Sequence, residues 1–248
     1  MTLAELEAAR DRAARIARGL GIRDFSAINI IENRAELYVL DLEQLNIALR
    51  KANLQLPADV EVIKVNELPR EVDAIFGGLA LTTCTSGFSV KNSSGTKGIT
   101  TAGHCDNSQQ YHGVNLPLVD EVWSDPYDIQ WHTAPGFTVR NLVFDGTYAR
   151  PIYGVKFRAS QSVGEWVCKY GKTTHYGCGQ IVLTNFQGVN VAVDIPVDNG
   201  DSGGPWFWYN TAYGTTKYAC TFGDGSHGAI YVPVDQIYGI LGLTILTN

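Results

Sequence analysis

Gly200-Asp201-Ser202-Gly203-Gly204-Pro205 and, upstream, Thr101-Ala102-Gly103-His104-Cys105 are the two stretches on which the reading of this chain turns. Each sets one reactive side chain among small residues, which let the backbone turn tightly and another molecule come close. A serine hydroxyl is a weak nucleophile until a base takes its proton. Imidazole is the side chain whose ordinary pKa suits that task near neutrality. Ser202 is therefore read as a nucleophile and His104 as its general base, brought together by the fold because they lie far apart in sequence. Attack on a carbonyl also needs donors aimed at the developing oxyanion, and the glycine-rich turn can turn the main-chain N–H groups of Gly200 and Ser202 to that use.

Composition narrows what surrounds these residues. The chain has 248 residues, 45% hydrophobic and 18% charged, which are globular values that fit neither disorder nor a membrane protein. A net charge of -6, with no cluster of lysine and arginine in the β-rich part, argues against nucleic acid as a partner. No apolar run reaches the roughly 20 residues of a membrane helix. The acidic, amphipathic opening Met1-Thr2-Leu3-Ala4-Glu5-Leu6-Glu7 is not a signal peptide. Five cysteines stand at 84, 105, 168, 178 and 220. Cys84 with Cys105, and Cys168 with Cys178, are close in sequence with short loops between strand-like runs, and are read as two disulfides. That implies an oxidising compartment, a secreted protein, and a leader outside this sequence. No Cys-x-x-Cys spacing is present, which argues against zinc.

Two segments of different character follow one another. Through residue 70, Leu3, Leu6, Ala9, Ala13, Ile16, Ala17 and Leu20 recur at helical spacing and Gly21 follows as a stop. Ala27 to Ile31 and Leu37 to Leu40 read as strands about a turn at Glu32-Asn33-Arg34. Asp41 caps a second helix through Leu49, and Val60 to Val65 reads as a closing strand. This is a small α+β segment, 1–70. From residue 71 to 248 short alternating runs recur between glycine and asparagine turns, the pattern of an all-β sandwich or barrel. The junction, Leu68-Pro69-Arg70-Glu71-Val72-Asp73-Ala74-Ile75-Phe76-Gly77-Gly78, is polar and proline-marked like a linker.

Beside the two opening motifs, Cys84-Thr85-Ser86-Gly87-Phe88-Ser89-Val90, Val167-Cys168-Lys169-Tyr170-Gly171-Lys172-Thr173-Thr174, Gly177-Cys178-Gly179 and the stretch from Val232-Pro233-Val234 to Thr247 resemble the bacterial streptogrisin and α-lytic branch of the chymotrypsin-like serine proteases. The resemblance covers about residues 75 to 247. It implies a mainly β fold of two six-stranded antiparallel β-barrels and a secreted monomeric endopeptidase acting on polypeptide through an acyl-enzyme, with no metal or cofactor. It also implies the chain order His, Asp, Ser, which puts the third catalytic residue among Asp106, Asp120, Glu121, Asp125, Asp128, Asp145, Glu165, Asp194, Asp198 and Asp201. Asp128, entering the strand-like run Tyr127-Asp128-Ile129-Gln130-Trp131, is the choice and Asp125 the alternative. Thr221, Phe222 and Gly223 are expected to pair their backbone with an extended substrate. Residues 1–70 resemble, more weakly, the C-terminal part of the branch's pro-region, which makes the protein's own N-terminal segment a partner.

Two departures from the branch stand out. Ile195-Pro196-Val197-Asp198-Asn199 lacks the cysteine usual before the serine motif, so Cys220 has no partner. Lys169 stands where an arginine is common, facing the buried aspartate equivalent to Asp201, and a lysine offers no bidentate grip. Primary specificity stays open between apolar and basic side chains, the latter through Asp198 or Asp224, with His227 as a possible reader of an acidic one. Two other functions also stay open: a latent zymogen blocked by residues 1–70, and a non-catalytic binding protein on the same fold.

Overall fold

Thr2 starts the first helix by accepting from the Glu5 N–H at 3.3 Å, while the Glu5 carboxylate takes the Thr2 N–H at 2.7 Å. That reciprocal cap sits at one end of the computed structural model, which describes residues 1–66, 68 and 73–248. The helix, Leu3–Gly19, ends at Leu20, and Gly21 turns the chain with φ of 73°. Strands Asp24–Asn29 and Arg34–Val39 form an antiparallel pair, and Val60–Lys64 adds in parallel beside the second of them. Asp41 caps helix Leu42–Ala52 with its carboxylate on the N–H groups of Glu43 and Gln44. Ala13, Ala17, Leu37, Val39 and Leu45 make the core, the alanines allowing the helix to lie close to the strand. Ile30 and Ile31, expected to end the first strand, instead stand in the turn, 78% and 93% exposed.

The chain forms two compact units, Met1–Glu71 and Val72–Asn248. The expected boundary at 70, with residues 69–72 of the expected linker, lies outside the described residues; Ala74–Gly77, read as part of that linker, is instead a strand of the second unit.

In the second unit six antiparallel strands close on themselves. Thr211–Thr221 pairs with Pro205–Trp208, which pairs with Trp166–Gly171. His175–Phe186 and Asn190–Val193 continue the ring, and His227–Pro233 returns it to Thr211–Thr221. Val167, Ile181, Val191, Val193, Trp206 and Tyr231 fill the interior, the last two rings stacked with centroids 5.2 Å apart. Closure leaves no free edge among these strands.

The first half of the unit is mainly β in the same way, without a closed hydrogen-bonded ring among the described residues. One sheet of five strands carries Ser89–Lys91, Lys97–Thr101, Tyr127–Thr133 and Leu118–Ser124, and a second of three carries Ala74–Gly77 and Thr138–Phe144. Ile75 and Val139 of the smaller sheet pack with Ile99 of the larger. The chain's end returns to this half. Helix Val234–Leu241, which no sequence signal announced, buries Val234 and Ile237, and Gly242 ends it in the left-handed conformation. Thr244–Ile245 then adds to the edge of the five-stranded sheet.

Candidate active site

His104 stands on the turn that follows strand Lys97–Thr101, where the chain has just left the five-stranded sheet. Gln130 holds that turn from the neighbouring strand, its amide donating to the carbonyls of Ala102 at 2.7 Å and Cys105 at 3.0 Å. The disulfide Cys84–Cys105 ties the same turn to the segment before strand Ser89–Lys91. Asp128 is the second residue of strand Tyr127–Thr133 and is buried. Its Oδ1 accepts the His104 main-chain N–H at 2.8 Å and its Oδ2 lies 2.7 Å from Nδ1 of the ring. On the other side of the imidazole, Nε2 is 2.9 Å from Ser202 Oγ. Asp125 takes no part in this chain of contacts; its carboxylate pairs with Lys217.

Ser202 lies in the loop ahead of strand Pro205–Trp208. Gly200 and Gly203 adopt φ of 98° and 80°, a backbone only glycine takes readily. Most main-chain donors of this loop are spent: Asp201 N–H on Asp198 O, Gly203 N–H on Thr216 O, Gly204 N–H on Asp201 O. Among the described residues, the N–H groups of Gly200 and Ser202 have no acceptor. Thr85, which no sequence signal had singled out, locks the loop from outside. Its hydroxyl donates to Gly200 O at 2.7 Å and its N–H to Ser202 O at 2.9 Å.

Beneath the loop Asp201 is fully buried. Its Oδ1 accepts the N–H groups of Thr173 and Thr174 at 2.9 and 3.0 Å, and its Oδ2 accepts Asp198 N–H at 3.0 Å and the Thr174 hydroxyl. Lys169, also buried, stands 3.7 Å from Oδ2. It donates instead to Thr174 Oγ1 and to His175 O at 2.9 Å, so the threonine hydroxyl bridges cation and anion. Burial pushes the Asp201 carboxyl up, and the hydrogen bonds from Thr174, Asp198 and Thr173 more than offset it, leaving the group below its ordinary range. Burial pulls the Lys169 ammonium down, with Asp201 opposing.

A cavity of about 360 Å³ is walled by Val197, Asp198, Cys220, Thr221 and His227. The Cys220 thiol is unbonded, and burial raises its pKa, which keeps it a poor nucleophile. His227 is exposed, with Nδ1 3.3 Å from Thr221 Oγ1. Phe222 has its N–H on Ser226 O and its C=O accepting from Gly225, so its main chain is occupied. This differs from the expectation that Thr221, Phe222 and Gly223 all offer backbone to a substrate. Around Gly223 a side chain would meet open space. Cys168 and Cys178 are joined between directly facing strand residues. Cys84, Cys105 and His104 bring sulfur and imidazole together, but both sulfurs are in the disulfide, so they are no ligand set.

No family model matches the chain. Streptogrisin-C of Streptomyces griseus is 30% identical to it over 216 residues, 76% of this chain and 45% of that protein. Serine protease 1 of Rarobacter faecitabidus is 27% identical over 192 residues, 70% of this chain and 35% of that protein. The chain thus spans less than half the length of either curated relative. Of solved structures, Nocardiopsis protease superposes with a TM-score of 0.61 at 26% identity, over 69% of this chain and 98% of that one.

Proposed function

The chain belongs to the chymotrypsin-like serine proteases of bacteria, and we propose that it cleaves internal peptide bonds through Ser202, His104 and Asp128. The contacts from Asp128 through His104 to Ser202, at 2.7 and 2.9 Å, carry this reading. Ser202 Oγ attacks the scissile carbonyl as His104 Nε2 takes its proton. Asp128 holds Nδ1–H, which fixes the ring's tautomer and stabilises the imidazolium. The unengaged N–H groups of Gly200 and Ser202 are the donors for the tetrahedral oxyanion. The imidazolium then protonates the leaving amine, and water attacking the acyl-enzyme by the same route restores the serine.

Substrate binding falls to Thr221 and Gly223. Thr221 ends strand Thr211–Thr221, Gly223 stands in the turn that follows, and Phe222 between them is committed to that turn. A side chain at Gly223 meets nothing within the protein, so Gly223→Leu should fold normally and still obstruct the incoming strand. We expect kcat/KM on a tetrapeptide amide to fall about 10- to 100-fold, the worth of one or two lost hydrogen bonds. Unchanged hydrolysis would remove this strand from the site.

The two disulfides support a protein exported to an oxidising space. The separate compaction of residues 1–71 supports a pro-like segment that acts as a partner of a monomeric protease domain. Intact mass after exposure to a fluorophosphonate tests the whole reading. Addition of one label to the full-length chain, located on Ser202, is the expected result. Label found only on a species that has lost its first 70 or so residues would make the chain a zymogen. No label on either would turn the reading to a binding protein.

A further inference from the structure

Strand Thr211–Thr221 carries an irregularity beside the active site. Thr216 pairs with Tyr231 and Tyr218 with Ile230, so Lys217 is an extra residue with no partner on the facing strand. A bulge of this kind re-aims one side chain, and here it re-aims a lysine that is only 4% exposed. The ammonium donates to Asp125 Oδ1 at 2.9 Å, Pro126 O at 3.1 Å and Gln187 Oε1 at 3.2 Å, and lies 5.0 Å from the centre of the Tyr218 ring. All three donors of the group are used. Asn190 Nδ2 adds a second hold on Pro126 O at 2.9 Å.

The two ends of this contact belong to different halves of the unit. Asp125 and Pro126 form the turn between Leu118–Ser124 and Tyr127–Thr133, in the five-stranded sheet, and Asp128 follows two residues later. Lys217, Gln187 and Asn190 are in or between strands of the closed barrel. The residue before Lys217 holds the nucleophile's loop, since Thr216 O accepts Gly203 N–H at 2.8 Å and Thr216 N–H donates to Gly204 O at 2.9 Å. Adjacent residues of one strand thus grip the serine loop and the aspartate hairpin.

We propose that Lys217 is a positioning residue for the reaction: it pins the Asp125–Pro126 turn to the barrel that carries Ser202, and so sets where Asp128 and His104 stand relative to the nucleophile. The inference rests on the triad reading above. A buried lysine is costly to desolvate, and here every donor of a bulged one is spent across two sheets that no strand pairing joins among the described residues. Its effect is a fixed distance. Displacing a catalytic group by about 1 Å can cost about 100-fold in rate without any loss of substrate contacts.

The test is Lys217→Met in the full chain, with Lys217→Arg as the conservative variant. For the methionine variant kcat on a short peptide ester should fall about 10- to 100-fold with KM little changed, and the arginine variant should recover most of the loss. Proton NMR supplies a readout at the triad itself. The far-downfield proton shared by His104 Nδ1 and Asp128 should shift or broaden in the methionine variant and return in the arginine one. If Lys217→Met does not fold, Asp125→Ala decides, because that side chain is 75% exposed and its removal leaves no cavity. It should show the same split between kcat and KM and the same proton shift at smaller size. Wild-type kcat and an unmoved proton in the folded variant would overturn the proposal. Failure of the triad reading looks different: wild-type protein would then take no fluorophosphonate, whatever stands at 217.

Discussion

Asparagine at position 128 is expected to leave a folded protein whose kcat is about ten-thousandfold below that of the original chain. The cause is in the two contacts of one carboxylate. Oδ1 accepts the main-chain N–H of His104 at 2.8 Å, and that donor cannot be reversed. An asparagine must keep its carbonyl oxygen there, which turns its NH2 toward Nδ1 of the ring, where Oδ2 stood at 2.7 Å. Nδ1 then accepts, the imidazole's proton moves to Nε2, and the nitrogen facing Ser202 at 2.9 Å has no lone pair for the serine's proton. The fold should not suffer, because every hydrogen bond has a replacement. Steady-state hydrolysis together with the rate of fluorophosphonate labelling checks this, and both should fall. A variant within tenfold of the original rate would show that Asp128 is not the residue orienting the base.

The sequence supplied only part of this set of contacts. Serine and histidine could be named from their neighbours because small residues and glycines with positive φ are local requirements, written within six residues. Asp128 and Asp125 both satisfy the chain order, and only the strand-like run that Asp128 enters favoured it. They sit three residues apart in one hairpin, and which one turns inward depends on the strand's pleat and on a lysine in a distant strand. Thr174 stands in a motif with no role legible from its neighbours, since a hydroxyl's partner is set by where a loop folds back. Lys169 was legible as a charge facing Asp201, but the threonine between them was not. The helix at Val234 to Leu241 follows a proline within an apolar run that reads equally well as strand. Ring closure depends on pairings such as Val191 with Tyr231, which carry no signal in either segment alone. Local chemistry was therefore readable, while the supports that hold it came from packing.

The support under the serine yields the other large effect. Asp201→Asn should cost about 3–5 kcal/mol of stability, as breaking a buried ion pair does, and lower kcat on any fraction that still folds. Four donors converge on this carboxylate: three main-chain N–H groups, from Thr173, Thr174 and Asp198, and the Thr174 hydroxyl. An amide offers one oxygen and two hydrogens, so half of that set would face another donor. Lys169, buried and reaching the anion through Thr174, would lose its counter-charge. The loop from Asp198 to Ser202 would loosen, and with it the N–H groups of Gly200 and Ser202. Loss of one such donor is worth about 100- to 1000-fold in kcat. Acid gives an independent reading. A carboxyl whose folded pKa lies below its unfolded value stabilises the fold above the unfolded pKa, and that stabilisation is lost as pH falls through the folded value. For Asp201 this window lies at and below its ordinary pKa of 3.8. The denaturation midpoint of the original chain should therefore drop more steeply than that of the asparagine variant between pH 5 and pH 2, so that the gap between them narrows in acid. Equal midpoints at neutral pH with unchanged kcat would mean that the loop is held by Thr85 and by the Thr216 ladder, with the buried charge dispensable.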